Sequence, residues 1–119
     1  MMMENVNKVK RVNQIAFRTS EGFEYFKYDE IIRFEADGNY TLVHHIYPNS
    51  PSKAMCNLAR IVKCCKYDRF YRCHKSHIIN LKHVRKLHNA DHKLLMKDGA
   101  LIPISEKNLK EIRSMSVLH

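Results

Sequence analysis

The sequence predicts a mainly β fold built of antiparallel strands with two short helices. Segments rich in β-branched and aromatic residues are short and are separated by turn residues such as Gly, Asn and Pro, which is typical of strands joined as hairpins. Apolar residues recur at helical spacing in two stretches, one in the middle of the chain and one near its end. Strands and helices do not alternate, which argues against a parallel sheet.

The length of 119 residues indicates one domain. Residues 1–11 are interpreted as a flexible lead or linker, and residues 12–119 as the folded domain. No apolar run approaches the roughly 18 residues that cross a bilayer. A secretory signal would require an apolar stretch after the basic N-terminus, and none follows there. We therefore expect a cytoplasmic protein without a membrane partner.

The first part of the chain predicts four strands. Residues 13–28, NQIAFRTSEGFEYFKY, form two short strands around a Ser-Glu-Gly turn, and EIIRFEA forms a third. A tight turn follows at Gly38 and Asn39, because both residue types tolerate positive φ. Residues 40–47, YTLVHHIY, then form a β-rich strand.

The first helix is predicted after the proline-containing break PNSPS. Asn57 is a suitable N-cap, because its side chain can accept a hydrogen bond from an unpaired backbone N–H. The spacing i, i+3, i+4, i+7 places four apolar residues on one face, namely Leu58, Ile61, Val62 and Cys65. We expect this face to be buried and the basic residues between to meet water or a partner.

Residues 69–88, RFYRCHKSHIINLKHVRKLH, hold ten Lys, Arg or His residues and no acid. We predict a strand at 69–73, a loop or short helical turn at 74–81 and another strand at 83–88. Self-repulsion makes such a segment costly unless it serves solubility or meets an anionic partner. The candidate partners are a membrane, an acidic protein and a nucleic acid.

The last part of the chain predicts a hairpin and a closing helix. Two apolar strands at 92–104 are joined by Asp98-Gly99, the pair that a two-residue type I′ turn prefers. Pro103 cannot donate to a ladder, so its strand is expected at a sheet edge or to end there. Ser105 is predicted to cap a helix with one apolar side, formed by Leu109, Ile112 and Met115.

The chain as a whole is strongly basic. Lys and Arg number 21 against 12 acids, which gives a net charge of +9 and a pI near 9.5. Residues 21–37 hold six acids, whereas residues 60–86 hold nine Lys or Arg and a single acid. Such a balance is typical of nucleic-acid binding, and the positive face would steer a polyanion. The alternative is that the lysines only solubilise the surface.

Metal binding and catalysis are not favoured by the pattern. His74 and His77 lie three residues apart beside Cys73, but tetrahedral zinc needs a second pair of ligands, which we do not find. A Gly-x-Ser-x-Gly motif and a Gly-rich phosphate loop are absent, and sequence neighbours such as Cys73 and His74 rarely share a productive geometry. We therefore expect no metal, no cofactor and no enzymatic activity.

The four cysteines are interpreted as free thiols of a reducing compartment. Cys73 lies among several cationic residues, and positive neighbours lower the pKa of a thiol and favour its reactive thiolate. Cys73 is therefore a candidate redox thiol. The alternative is an inert cysteine that fills a strand position.

The segment 72–80, RCHKSHIIN, has the composition of an anion site. Arg72 offers a forked donor to phosphate oxygens. Short donors follow at close spacing, of the types that position phosphates in protein–DNA contacts, namely His74, Lys75, Ser76 and Asn80. The alternative is that these side chains satisfy nearby backbone groups and hold the shape of the loop, and for Asn80 this alternative has at least equal weight.

The same segment, RCHKSHIIN, resembles the signature of the LytTR family of bacterial DNA-binding output domains. Three further pieces resemble that family in the same order, namely IIRFEADGNYTLVH, NLARIVKCC with FYRCH after it, and DGALIPIS. The resemblance extends over residues 13–115. His77 departs from it, since an aromatic residue usually follows the Ser, and so does Glu106, which stands where a basic residue is frequent.

The resemblance implies an elongated β fold that docks on duplex DNA through loops at strand ends. It places base-reaching side chains at Tyr40, Lys75 and Lys107. Side chains that support the loop or contact the DNA backbone are implied at Arg72, His74 and Ser76. It also implies a preceding receiver domain, a sensor kinase, and binding in pairs to repeated sites.

We therefore expect a sequence-specific duplex-DNA-binding domain of a bacterial transcription regulator. Two alternatives stay open from the residues. One is a binder of single strands or RNA, which would need a platform of stacking aromatics. The other is a basic protein-interaction module that takes an acidic partner.

Overall fold

The computed structural model describes residues 14–65 and 68–115. It contains ten strands and two α-helices within these ranges: β1 (Gln14–Thr19), β2 (Gly22–Lys27), β3 (Ile31–Asp37), β4 (Tyr40–His45), β5 (Ser52–Ala54), α1 (Leu58–Cys64), β6 (Phe70–His74), β7 (His77–Asn80), β8 (Val84–His88), β9 (Lys93–Met96), β10 (Leu101–Pro103) and α2 (Glu106–Ser114). The mainly β class with two short helices is confirmed. The predicted lead at 1–11 lies outside the described residues.

The strands form three antiparallel sheets. The central sheet has five strands in the order β5-β4-β3-β7-β6, β1 and β2 form a hairpin, and β8 to β10 form a sheet of their own with β9 in the middle. The principal extents of 52, 32 and 26 Å make the domain elongated, as expected.

A first hydrophobic core lies on one face of the central sheet. Phe17 and Phe26 of the β1–β2 hairpin meet Phe34 of β3, with ring centroids of Phe17 and Phe34 5.6 Å apart in an edge-to-face arrangement. Leu58 and Ile61 of α1 close this core from the side. Helix α1 and the hairpin therefore cover the same face of the sheet.

A second core lies on the opposite face. Ile79 of β7 packs with Leu94 and Met96 of β9, and Leu109 and Ile112 bring α2 onto the same cluster. The central sheet is thus buried on both faces, which holds its strand ends in fixed relative positions.

Local signals place both helices as predicted. The Asn57 side chain accepts a hydrogen bond of 3.0 Å from the Arg60 backbone N–H, and the Ser105 hydroxyl oxygen accepts one of 3.2 Å from the N–H of Asn108. Each cap satisfies one of the unpaired N–H groups of a first helical turn.

Two predicted helix-face residues lie outside the cores. Val62 is 51% exposed because only the line through Leu58 and Ile61 reaches the sheet from this two-turn helix. Met115 is 45% exposed because it follows the last turn of α2. The expected burial of Val62 is therefore wrong, and Met115 does not join Leu109 and Ile112 in the second core.

The interpretation of residues 74–81 as a loop or short helical turn is wrong for most of that segment. Residues 77–80 form β7, a central strand, and a 3₁₀ turn occupies Leu81–His83. Ile78 enters the first core and Ile79 the second, so this strand is apolar on both faces. Such a short apolar run lacks the alternation that identifies a strand.

The turn of the last hairpin also differs from expectation. The hairpin at 92–104 does not use a two-residue type I′ turn, since Leu95 pairs with Leu101 and five residues lie between them. The Asp98 carboxylate accepts from the Ala100 N–H at 3.0 Å and organises this longer loop. Pro103 lies on β10, an edge strand, as predicted.

Candidate nucleic-acid interface

Two turns lie side by side at one end of the central sheet. Strand β3 ends at Asp37, which pairs with Tyr40 at the start of β4, and Glu35 of β3 pairs with His77 at the start of β7. The Ala36 N–H donates to the carbonyl oxygen of Ser76 at 2.9 Å. The antiparallel pairing therefore brings the turn at 38–39 next to the turn at 75–76.

The start of α2 joins the same end. The Asn108 side-chain amide donates to the carbonyl oxygen of Cys73 at 2.9 Å, and its oxygen accepts from the Tyr71 hydroxyl at 3.1 Å. Lys107 precedes Asn108 in the first turn of α2 and is exposed. Asn108 was not predicted as a site residue, because nothing in the sequence shows which carbonyl its side chain meets.

The three predicted base-reaching residues thus share one end of the molecule. Tyr40, Lys75 and Lys107 are all exposed there. Neighbouring strands lie about 4.8 Å apart, so three strand intervals separate β4 from β6 by about 14 Å. This span is close to the roughly 12 Å width of the major groove of B-DNA.

Arg72 and His74 shape the turn that presents Lys75. The Arg72 guanidinium donates to the carbonyl oxygen of Lys75 at 2.6 Å. The Ser76 N–H donates to Nδ1 of His74 at 3.0 Å, so the proton of a neutral His74 ring resides on Nε2. The side chain of Lys75 remains exposed at the tip. These bonds fix the shape of the turn, and the roles of Arg72 and His74 toward DNA stay predictions.

Lys53 adds a cation beside Tyr40. Its Nζ lies 5.5 Å from the centroid of the Tyr40 ring and 3.2 Å from the Asp37 carboxylate. Gly38 adopts φ +61 in the turn between Asp37 and Tyr40, a conformation that glycine adopts without strain. Lys53 was missed because β5 has no strand signal in the sequence, which reads Ser-Lys-Ala there.

A cluster of titratable groups lies behind the tips. Glu35 accepts from His44 Nε2 at 2.9 Å and lies 3.5 Å from the Arg33 guanidinium, which in turn is 3.7 Å from Asp98. Burial raises the pKa of Glu35, but the hydrogen bond from His44 and the charge of Arg33 outweigh it and leave that pKa below the usual value. Glu35 is therefore an anion at neutral pH.

His77 and His44 belong to this cluster and carry no charge at neutral pH. Burial lowers the pKa of His77, and the charge of the Arg33 guanidinium lowers it further against the pull of Glu35. Burial likewise lowers the pKa of His44, although its hydrogen bond to Glu35 opposes the shift. Nδ1 of His77 is buried without a hydrogen-bond partner.

The prediction that Cys73 is a redox thiol with a lowered pKa is wrong. Its side chain is fully buried in the second core, and burial raises its pKa to about 12. The cationic Arg72 is exposed on the opposite side of the strand, since successive side chains alternate. Cys73 is an inert core residue.

Asn80 is a structural residue and not a contact residue. It is fully buried, and its amide donates to the carbonyl oxygens of Tyr28 at 3.2 Å and Ile31 at 2.9 Å. Its own oxygen accepts from the Lys82 N–H at 3.0 Å. These bonds anchor the far end of β7, away from the tips.

Within residues 14–65 and 68–115, no group of three His, Cys, Asp or Glu side chains is arranged to hold a metal ion. The same residues include no helix that is long and apolar enough to cross a membrane.

Comparison with known proteins identifies the domain. The family model of the LytTr DNA-binding domain matches residues 21–116. This chain belongs to that family. A LytTr DNA-binding domain from Bacillus cereus has a similar solved structure, with a TM-score of 0.69 and 22% sequence identity over 86% of this chain and 94% of that one. The LytTr fold is thereby confirmed.

Two regulators resemble this LytTr domain in sequence. Accessory gene regulator protein A of Staphylococcus epidermidis is 26% identical over 108 residues, which are 90% of this chain and 44% of that protein. The CO-responsive transcriptional regulator RcoM of Rhodospirillum rubrum is 29% identical over 110 residues, 87% of this chain and 45% of that protein. The chain thus spans less than half the length of either relative.

Proposed function

We propose that this LytTr domain reads duplex DNA in a sequence-specific manner with the end of its central sheet. The observation that carries the proposal is that Tyr40, Lys75 and Lys107 stand exposed at one end of a sheet buried on both faces. A rigid scaffold presents such tips in a fixed relative arrangement, which base reading requires.

The lysine tips and the tyrosine tip have different chemical roles in this proposal. Lys75 and Lys107 donate to the guanine acceptors of the major groove, and each such contact contributes about 1–3 kcal/mol of discrimination. Tyr40 packs on a thymine methyl group or holds a phosphate. Lys107 also lies in the first turn of α2, where unpaired backbone N–H groups favour an anion.

Two roles, contact with the DNA phosphates and support of the turn, are shared by Arg72, His74 and Ser76. The guanidinium has five N–H donors, and the bond to the Lys75 carbonyl uses one of them. The remaining donors make no hydrogen bond within the described residues and can meet phosphate oxygens. The net charge of +9 adds a long-range attraction that does not depend on sequence and that salt weakens.

The surrounding protein is a cytoplasmic transcription regulator in this proposal. The two relatives are regulators by name, and each is more than twice the length of the matched region. A receiver domain acted on by a sensor kinase supplies the input, and two copies bind repeated sites on DNA.

Selection of bound sequences from a random duplex pool tests the proposal. We expect enrichment of a motif repeated at about one or two helical turns, since paired domains reach successive grooves on one side of the duplex. Equal recovery of all duplexes, or a preference for single strands in competition, would overturn it. The variant Lys82→Ala is a control for the loss of a cation away from the tips, since Lys82 lies beyond the far end of β7 and pairs with Asp29 at 2.9 Å. It should select the same motif as the parent.

A further inference from the structure

A groove runs between strand β1 and helix α1 on the side of the first core. Its volume is about 510 Å³, and none of its lining residues is among the proposed DNA contacts. Phe17 and Ile61 contribute to its floor, and the buried Phe17 side chain belongs to the core beneath. Burial raises the pKa of the Cys56 thiol in its wall, so that thiol is neutral and the wall stays apolar.

One side of the groove is an open strand edge. Among residues 14–65 and 68–115, strand β1 pairs only with β2, and Thr19 pairs with Gly22 across a two-residue turn. This hydrogen-bonded pair sets the alternation, so the backbone N–H and C=O groups of Ala16 and Arg18 point away from β2. The Met55 N–H confirms the direction, because it donates to the Arg18 carbonyl oxygen at 2.8 Å.

No partner for the outward backbone groups of Ala16 lies in the part of the chain that the structure describes. Ala16 also lines the groove. Proteins usually protect such an edge with a bulge, a proline or a covering element, because it is a template for another strand. Here the segment that ends at Met55 covers the edge only at Arg18, and the groove separates α1 from the rest of the edge.

The rim of the groove is positively charged. Arg18 projects from β1 and Arg60 from α1, both exposed and both lining the groove. No carboxylate is among the residues that line it. An occupant that matches this surface is extended, carries acidic side chains for the arginines and places apolar side chains toward the floor.

We propose that β1 accepts an additional strand from an acidic, extended segment of a partner protein. The segment pairs with the backbone of Ala16, turns apolar side chains toward Phe17 and Ile61, and meets Arg18 and Arg60 with its carboxylates. This is strand addition at a sheet edge, in which main-chain hydrogen bonds supply affinity and flanking pockets supply selectivity. Residues 8–11, Lys-Val-Lys-Arg, have the wrong charge to be that segment.

The probe is the blocked hexapeptide acetyl-Glu-Val-Glu-Val-Glu-Val-amide, titrated into the full chain and followed by amide NMR shifts and by calorimetry. We expect shifts at Ala16 and Cys64 and slower hydrogen exchange of the Ala16 amide. The same peptide with Lys in place of Glu is expected to bind at least tenfold more weakly. Shifts confined to the turn around Lys75 would overturn the proposal, because the acid would then only be occupying the DNA-binding end.

Proline substitution isolates the strand edge. Ala16→Pro removes an outward N–H without touching the ladder to β2, a position where an edge strand tolerates proline, and we expect at least a tenfold loss of peptide affinity. Tyr25→Pro is the matched control, since Tyr25 pairs with Ala16 and its N–H faces the opposite edge of the hairpin. Equal losses in both variants would overturn strand addition.

Charge reversal provides a second test that does not alter a strand. Arg60→Glu is expected to lower affinity for the acidic peptide at least tenfold and to raise that for the Lys peptide. If the chain instead self-associates and Ala16→Pro abolishes that association with no peptide bound, the edge pairs with a second copy and the proposed acidic partner is wrong.

Discussion

The Arg72 guanidinium donates a 2.6 Å hydrogen bond to the carbonyl oxygen of Lys75, three residues further along the chain. The bond closes the turn between β6 and β7 from the side. It makes the direction in which Lys75 projects depend on Arg72, so a residue proposed to hold phosphate also positions a residue proposed to read bases.

This dependence predicts the outcome of Arg72→Ala. Loss of a residue that only contacts phosphate would weaken binding to all duplexes equally. Loss of a residue that also holds the turn in place weakens the specific complex more. Hydrogen bonds of charged groups contribute about 1.5–3 kcal/mol, so we expect a loss of about tenfold or more on a selected site and a smaller loss on a scrambled one. Fluorescence anisotropy measures both. Arg69→Ala, which removes an exposed cation from the other end of β6, is the control and should change neither much.

Lys75→Ala is expected to relax the preference at one base step. The side chain is exposed at the tip and its backbone carbonyl is held by Arg72, so truncation removes a contact without disturbing the turn. Discrimination at that step should fall by about 1–3 kcal/mol, while binding to scrambled duplex changes little. Competition binding with a panel of single-base variants measures it. A variant that keeps the parent's full base preference would rule out base reading by Lys75.

The polar cluster behind the tips predicts a stability that depends on pH. Burial lowers the pKa of His44 and of His77 in the folded chain, and unfolding returns both toward 6.5. As the pH falls past that value, the unfolded chain therefore binds more protons than the folded chain. The free energy of unfolding keeps its full value above about pH 6.5 and decreases below it. Urea denaturation at pH 7.5 and 5.5 measures the difference. His77→Phe removes one of the two groups and should make that difference smaller; an unchanged difference would contradict this assignment.

The burial of Cys73 predicts its resistance to thiol reagents. Cys64 is exposed on α1, whereas Cys73 is fully buried and its pKa is raised to about 12. A disulfide reagent at pH 7.5 should label Cys64 rapidly and Cys73 only after denaturation, as peptide mass spectrometry would show. In the Cys64→Ser variant, which lacks this exposed thiol, mild peroxide should leave the affinity for DNA unchanged. Rapid native labelling of Cys73 would contradict the buried position.

Elements with strong local signals could be predicted from the sequence. The caps Asn57 and Ser105 need a single side chain within one helical turn, and the hairpin turn at Gly38 needs residues that tolerate positive φ. The positions of Tyr40, Lys75 and Lys107 followed from the family resemblance. In all these cases the deciding interaction lies within a few residues or within one motif.

What escaped prediction depends on partners far along the chain. Strand β7 is recognisable only through its pairing with β3 and β6, and Asn80 is structural because it meets carbonyl oxygens some fifty residues earlier, on Tyr28 and Ile31. The environment of Cys73 was misjudged because its cationic sequence neighbours project to the other side of the strand. Sequence proximity does not give the dielectric surroundings of a side chain.

The tips come from distant parts of the chain: Tyr40 begins strand β4, Lys75 lies in the turn between β6 and β7, and Lys107 lies in the first turn of α2. All three side chains are exposed. Substitution at one tip leaves the cores and the other two tips in place. Preference for different operators can therefore diverge one base contact at a time, while the protein keeps its fold at every step.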